Sequence, residues 1–148
     1  MTGPKKKHKR AWDIDREALS RACKAMGLKH PVKIRITAQK RTSGQYLGLC
    51  FQRRSPTRAH QISMSTYLST EDAGKTLWHE LTHALQRERY RSGALFCDAY
   101  EASLSESLST SRRETRKPDG YDESPFEQEA AAAEIRNKNN PLCQARKP

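Results

Sequence analysis

The chain has 148 residues, of which only 34% are hydrophobic, and a formal net charge of +11. That length suits one domain with a small core, and no apolar run approaches the ~20 residues that a membrane-spanning helix needs. The charge is lopsided: residues 1–60 hold sixteen Lys/Arg against three Asp/Glu, whereas residues 61–148 hold twelve against fourteen.

Residues 1–10 include Lys5-Lys6-Lys7-His8-Lys9-Arg10 and read as a disordered basic tail. From Asp13 to Met26, apolar side chains recur at Ile14, Ala18, Leu19, Ala22, Ala25 and Met26, and the pattern stops at Gly27. This predicts a first helix with a glycine stop. Val32-Lys33-Ile34-Arg35-Ile36 alternates with period two, and Tyr46-Leu47-Gly48-Leu49-Cys50-Phe51 follows a Thr42-Ser43-Gly44 turn, so these two segments are expected to form a hairpin. Gln61-Ile62-Ser63-Met64-Ser65 alternates again and gives a third strand.

Next comes Thr76-Leu77-Trp78-His79-Glu80-Leu81-Thr82-His83-Ala84-Leu85-Gln86. Apolar residues at 77, 78, 81, 84 and 85 mark one stripe of an amphipathic helix. Ser69 or Thr70 supplies its N-cap, and Glu71-Asp72 suit the positive end of the helix dipole. Within this helix His79-Glu80-Leu81-Thr82-His83 is an H-E-x-x-H string. Histidines four apart lie one turn apart on one face, so both rings can reach a single Zn²⁺ while Glu80 serves as general base.

Catalytic zinc takes three protein ligands and leaves a position for water, so a third is required. The metzincin extension fails, since Gln86 stands in place of its glycine and Arg89 in place of its third histidine. His8, His30 and His60 all lie upstream, in the tail, beside Pro31 and at a strand start, and none is a natural ligand. Residues 92–108 read as a helix through Ala94-Leu95-Phe96, Tyr100, Leu104 and Leu108, and Ser109 to Asp122 as an exposed loop. A further helix opens at Ser124-Pro125-Phe126-Glu127-Gln128-Glu129 and runs through Ala130-Ala131-Ala132-Ala133-Glu134. Ser124 and Glu127 fit the S-x-x-E capping box, which occupies Glu127 at the helix start. Glu129 is therefore the expected third ligand, with Glu127 and Glu134 as alternatives.

His79-Glu80-x-x-His83-Ala84-Leu85-Gln86, followed some forty residues later by Pro125-Phe126-Glu127-x-Glu129-Ala130, resembles the small gluzincin-type metallopeptidases of bacteria and phages, related to the ImmA/IrrE and SprT-like groups. The resemblance covers roughly residues 60–135 and departs from the SprT-like branch, which uses a histidine as third ligand. It implies a minimal zincin-like α+β domain: an N-terminal helix, a small three-stranded sheet, the H-E-x-x-H helix and a downstream Glu-bearing helix. It also implies His79, His83 and Glu129 as zinc ligands, Glu80 as base, and a protein or peptide substrate. In zincin sheets the edge strand beside the cleft takes up extended peptide by strand addition, and the segment Gln61 to Ser65 is the candidate. Tyr90, Tyr100 and Tyr121 are candidates for stabilising the oxyanion.

The domain is expected over residues 11–140, with 141–148 a disordered C-terminal tail. Cys23, Cys50, Cys97 and Cys143 form no C-x-x-C pair, which with the lack of an apolar leader predicts free thiols in a reducing cytoplasm, and the family resemblance implies that of a bacterial or phage-infected cell. The basic N-terminal half, including Lys40-Arg41 and Arg53-Arg54, is a candidate surface for nucleic acid, and a zinc-stabilised binding protein without activity is the alternative function. No membrane partner is expected.

Overall fold

The computed structural model describes residues 9–38, 45–46, 59–114 and 124–147. They form an α+β arrangement of β1 (Trp12–Ile14), α1 (Arg16–Met26), β2 (Val32–Thr37), β3 (Gln45–Tyr46), β4 (His60–Ser65), α2 (Thr70–Glu88), α3 (Gly93–Glu114), α4 (Pro125–Arg136) and β5 (Cys143–Ala145). The basic runs at residues 1–8, 40–41 and 53–54, together with most of the segment from Tyr46 to Phe51, lie outside the described residues.

Helix α1 begins three residues later than its apolar pattern predicts. Asp15 is the N-cap and accepts a hydrogen bond from the Ala18 amide at 3.0 Å, and Ile14 belongs to β1. The glycine stop is as expected: Gly27 adopts φ 75°, a left-handed conformation, while its amide and that of Leu28 close the last turn on the Lys24 and Cys23 carbonyls.

The main sheet has the order β2-β4-β3. β2 and β3 are not hairpin partners. β2 runs parallel to β4 and β3 antiparallel to it, so β4 lies in the middle. Period-two alternation identifies a half-buried strand but not its neighbour. The register sets Ile34 beside Ile62 and Ile36 beside Met64 on the inner face, with Lys33 beside Gln61 on the exposed face. Because β4 is paired on both sides at Ile62 and Ser63, the segment Gln61 to Ser65 is not an edge strand that could accept a peptide.

Helix α2 lies on the inner face and buries Ala73, Leu77, Leu81 and Ala84 completely. Ser69 is its N-cap, accepting from the Asp72 amide at 3.1 Å. Helix α3 contributes Phe96 and Tyr100 to the core and runs to Glu114, so residues 109–114 are helical where the residue types predict a loop. Extending a helix already nucleated costs far less than starting one. α4 packs on α2 through buried Ala130 and Ala133, whose short side chains let the two backbones approach closely. β5 pairs antiparallel with β1, matching Trp12 to Ala145 and Ile14 to Cys143, so residues 143–145 are part of the fold and not a loose tail. Cys23, Cys97 and Cys143 are free thiols, and burial pushes Cys143 up to about 12.

The C-terminal end of α2 is fixed by Glu88. Its carboxylate accepts from the backbone amides of Lys29 at 2.7 Å and His30 at 3.2 Å, and meets His60 Nε2 at 2.6 Å. Both side chains are buried. Burial holds the His60 ring below its ordinary 6.5 against the pull of Glu88, and the Glu88 carboxyl is lowered because these bonds outweigh its own burial. Both shifts act in one direction: the unfolded chain takes up protons first as pH falls, so stability drops progressively below about pH 6.5. Glu88→Ala is expected to cost about 2–4 kcal/mol at neutral pH, the loss of several hydrogen bonds to a buried charge, and to steepen the loss of stability that begins below about pH 6.5, because His60 keeps its burial and loses the carboxylate that offsets it. An unchanged acid limb would remove this pair from the account.

Candidate metal centre

His79 and His83 project from successive turns of α2 toward the first turn of α4, with ring centroids 4.9 Å apart. The side chain that meets them is Glu127. Its Oε2 lies 2.9 Å from His79 Nε2 and its Oε1 lies 3.0 Å from His83 Nε2. The ligand atoms of these three residues all lie within 4.8 Å of one another, and the group could hold a metal ion.

The remaining ring nitrogens are held from behind. His79 Nδ1–H faces Glu134 Oε2 at 3.2 Å, and His83 Nδ1–H donates to Gln86 Oε1 at 2.9 Å. Gln86 in turn donates through Nε2 to the Phe126 carbonyl at 2.9 Å, which fixes its amide orientation and ties α2 to the start of α4. Contacts at both Nδ1 atoms select the tautomer that leaves each Nε2 lone pair for a metal. Tyr100, from α3, donates its hydroxyl to Glu127 Oε1 at 2.5 Å. Three helices therefore aim one carboxylate at two imidazoles, and the donor set of two nitrogens and one oxygen suits a divalent transition metal.

Glu129 does not join this group. Two residues along a helix turn the side chain about 200° away, and Glu129 instead pairs with Arg89 on the surface at 2.9 Å. The capping box that assigns Glu127 a structural role does not form. Ser124 makes no side-chain cap, and its hydroxyl meets that of Ser103 at 2.8 Å. Glu134, seven residues and two turns beyond Glu127, falls on the same face and touches His79, where its position suggests a solvated residue. Among the tyrosines, Tyr100 is in the group, Tyr90 packs its ring against Phe96 and Phe126, and Tyr121 is outside the described residues. Glu80, between the two histidines, is buried at 6% exposure, and its charge acts on both of them.

Electrostatics tighten the cluster. Burial alone would lower His79, but the bond to Glu127 and the charges of Glu80 and Glu127 raise it to about 9. His83 is also raised, since the same carboxylates outweigh its burial. Glu127 moves the other way, held far below the carboxylate range because the bonds from both imidazoles outweigh its desolvation. Without a metal, protons on the Nε2 atoms bridge to Glu127. A metal ion must displace them, so its apparent affinity rises with pH. His79 alone imposes about tenfold per pH unit below its value near 9, and His83 adds a second proton once the pH is below its own raised value. Chelator competition is expected to show at least about 100-fold weaker binding at pH 6 than at pH 8; a flat profile would contradict this cluster as the metal site.

An open depression of about 560 Å³ borders the group, lined by His79, Glu127, Gln128, Ala131, Glu134 and the exposed Ile135. Elsewhere, Arg10 is committed to Asp13 at 3.0 Å and stacks over Trp12, while Lys33 and Arg35 stand exposed on the outer face of the sheet. Among the described residues no helix is long and apolar enough to cross a membrane. No family model, no curated protein and no solved structure matches this chain.

Proposed function

We propose that the chain is a zinc-dependent peptidase of the gluzincin type, with His79, His83 and Glu127 as ligands and Glu80 as general base. The observation that carries this reading is the convergence of both Nε2 atoms on the Glu127 carboxylate, beside an adjoining depression, with Glu80 on the same helix. A purely structural zinc site closes on four protein ligands, whereas three donors at the edge of an open depression suit a site that admits water and substrate.

Bound there, zinc would supply the positive charge that polarises a substrate carbonyl and makes water acidic near neutrality. The chain's own groups do the rest. Glu134 and Gln86 orient the two rings through Nδ1, and Tyr100 holds Oε1 of Glu127 so that the carboxylate cannot rotate away. Glu80 takes a proton from the attacking water and hands it to the departing amine. Its burial, at 6% exposure, limits the access of bulk water to that carboxylate.

The direct test is incubation of the zinc-loaded chain with an unfolded protein, with and without a chelator. Cleavage is expected only with metal, and restored on adding zinc back. A chain that carries one equivalent of zinc and cuts no peptide bond would sink the reading.

A further inference from the structure

Glu134 borders the depression at the metal centre. That residue is a wall shared with a second cavity of about 350 Å³, floored by Gly74 and Trp78 of α2 and by Cys143. Glu134 thus stands between the depression at the metal ligands and this cavity, which lies against the N-terminal half of α2. The accessible wall of the second cavity is mainly apolar, and its charged lining residues are Lys138, Glu134 and the ion pair of Lys75 with Glu71 at 3.3 Å.

Gly74 is the unusual residue in it. It sits in the second turn of α2, where glycine weakens a helix relative to alanine. Its backbone is ordinary helix, without the positive φ that requires glycine. A Cβ built at Gly74 meets no atom within 4 Å. Neither backbone geometry nor crowding within the fold accounts for glycine here; what its missing side chain does is keep the cavity floor open.

We infer that this cavity is a specificity pocket that takes a large apolar side chain of a peptide substrate lying along α2 from the metal centre, an inference that rests on the peptidase reading. Apolar walls favour burial of an apolar group. The cavity's charged lining residues balance, two carboxylates against two lysines, so no net charge draws an ionic side chain in and the apolar wall sets the preference. Substrates with Phe or Leu at one fixed position relative to the cut are accordingly preferred over those with Gly or Lys there.

The test separates binding from cutting. The probes are two short labelled peptides identical except for a central Phe or Gly, titrated into the zinc-loaded Glu80→Gln chain. The Phe peptide is expected to bind about tenfold or more tightly than the Gly peptide, as burial of one large side chain requires. Gly74→Leu in the same background fills the pocket and is expected to bring the ratio near one while zinc content is unchanged. Gly74→Ala lowers the ratio partway and carries the test should the leucine variant not fold. Equal binding of the two peptides, or a ratio unmoved in a folded Gly74 variant, overturns the pocket. Selective binding that Gly74→Leu abolishes, in a chain whose wild type cuts neither peptide, upholds the pocket and overturns the peptidase reading instead.

Discussion

Glu127→Ala is expected to strip the metal from the chain, whereas Glu129→Ala leaves the metal content as it was. The two residues are separated by one position but face opposite ways. Glu127 is buried at 3% side-chain exposure between His79, His83 and Tyr100, and Glu129 is on the surface with Arg89. Removing Glu127 deletes a ligand outright, so the loss should exceed the 10–100-fold that follows removal of a supporting contact. Glu134→Ala and Tyr100→Phe delete only such contacts and should fall within that range. The metal-free protein suffers as well. The bond to Glu127 is the largest influence raising His79, so in Glu127→Ala the ring gives up its proton at lower pH, and the apo protein loses the charge-assisted bonds that the two imidazoles and Tyr100 make to this carboxylate, at a cost of about 1.5–3 kcal/mol. Metal content after gel filtration, chelator competition and a melt of the apo protein check each part. Retention of zinc in Glu127→Ala together with its loss in Glu129→Ala would reverse the assignment.

Glu80→Gln is expected to keep zinc and lose hydrolysis by about 10²–10⁴-fold, the usual worth of a positioned general base. The amide has nearly the shape of the carboxylate, so α2 and the two imidazoles stay in place. What disappears is the ability to accept a proton from water. One secondary effect is readable without substrate: the Glu80 charge helps to raise both histidines, so in Glu80→Gln their protons leave at lower pH and metal binding near neutrality becomes less pH-dependent. Unchanged turnover with zinc bound would take Glu80 out of the mechanism.

The parts of this site that could be read in the sequence are those set by local rules. The apolar stripe of α2, its Ser69 cap and the one-turn spacing of His79 and His83 all depend on neighbours within a few residues, and each is present in the fold. Pro125 and Ser124 likewise mark the start of α4 correctly. The choice among its glutamates was harder to read, because Ala130-Ala131-Ala132-Ala133 has no periodicity to show which face is buried. The fold buries Ala130 and Ala133, and that stripe contains Glu127 and excludes Glu129. The capping box misdirects for a related reason: Ser124 has a tertiary partner in Ser103 that local rules cannot foresee. Strand order suffers most. Alternation finds β2 and β4, but their parallel pairing and the central place of β4 depend on residues far apart in the chain. Cys143-Gln144-Ala145 is too short to show any strand pattern, so β5 is visible only once β1 lies beside it.

The pairing of β1 with β5 also governs when this fold can be completed during synthesis. Trp12 and Leu142, both almost fully buried, lie in one cluster with Trp78 and Leu77 of the metal-bearing helix. Trp12 is made early, and the strand that pairs with it arrives only with residues 143–145. Closing so long a loop is entropically slow, and until then the part of the cluster that Leu142 and Cys143 cover stays open to solvent. The segment bearing the two histidines and Glu80 therefore cannot reach its final packing on a chain cut short before β5.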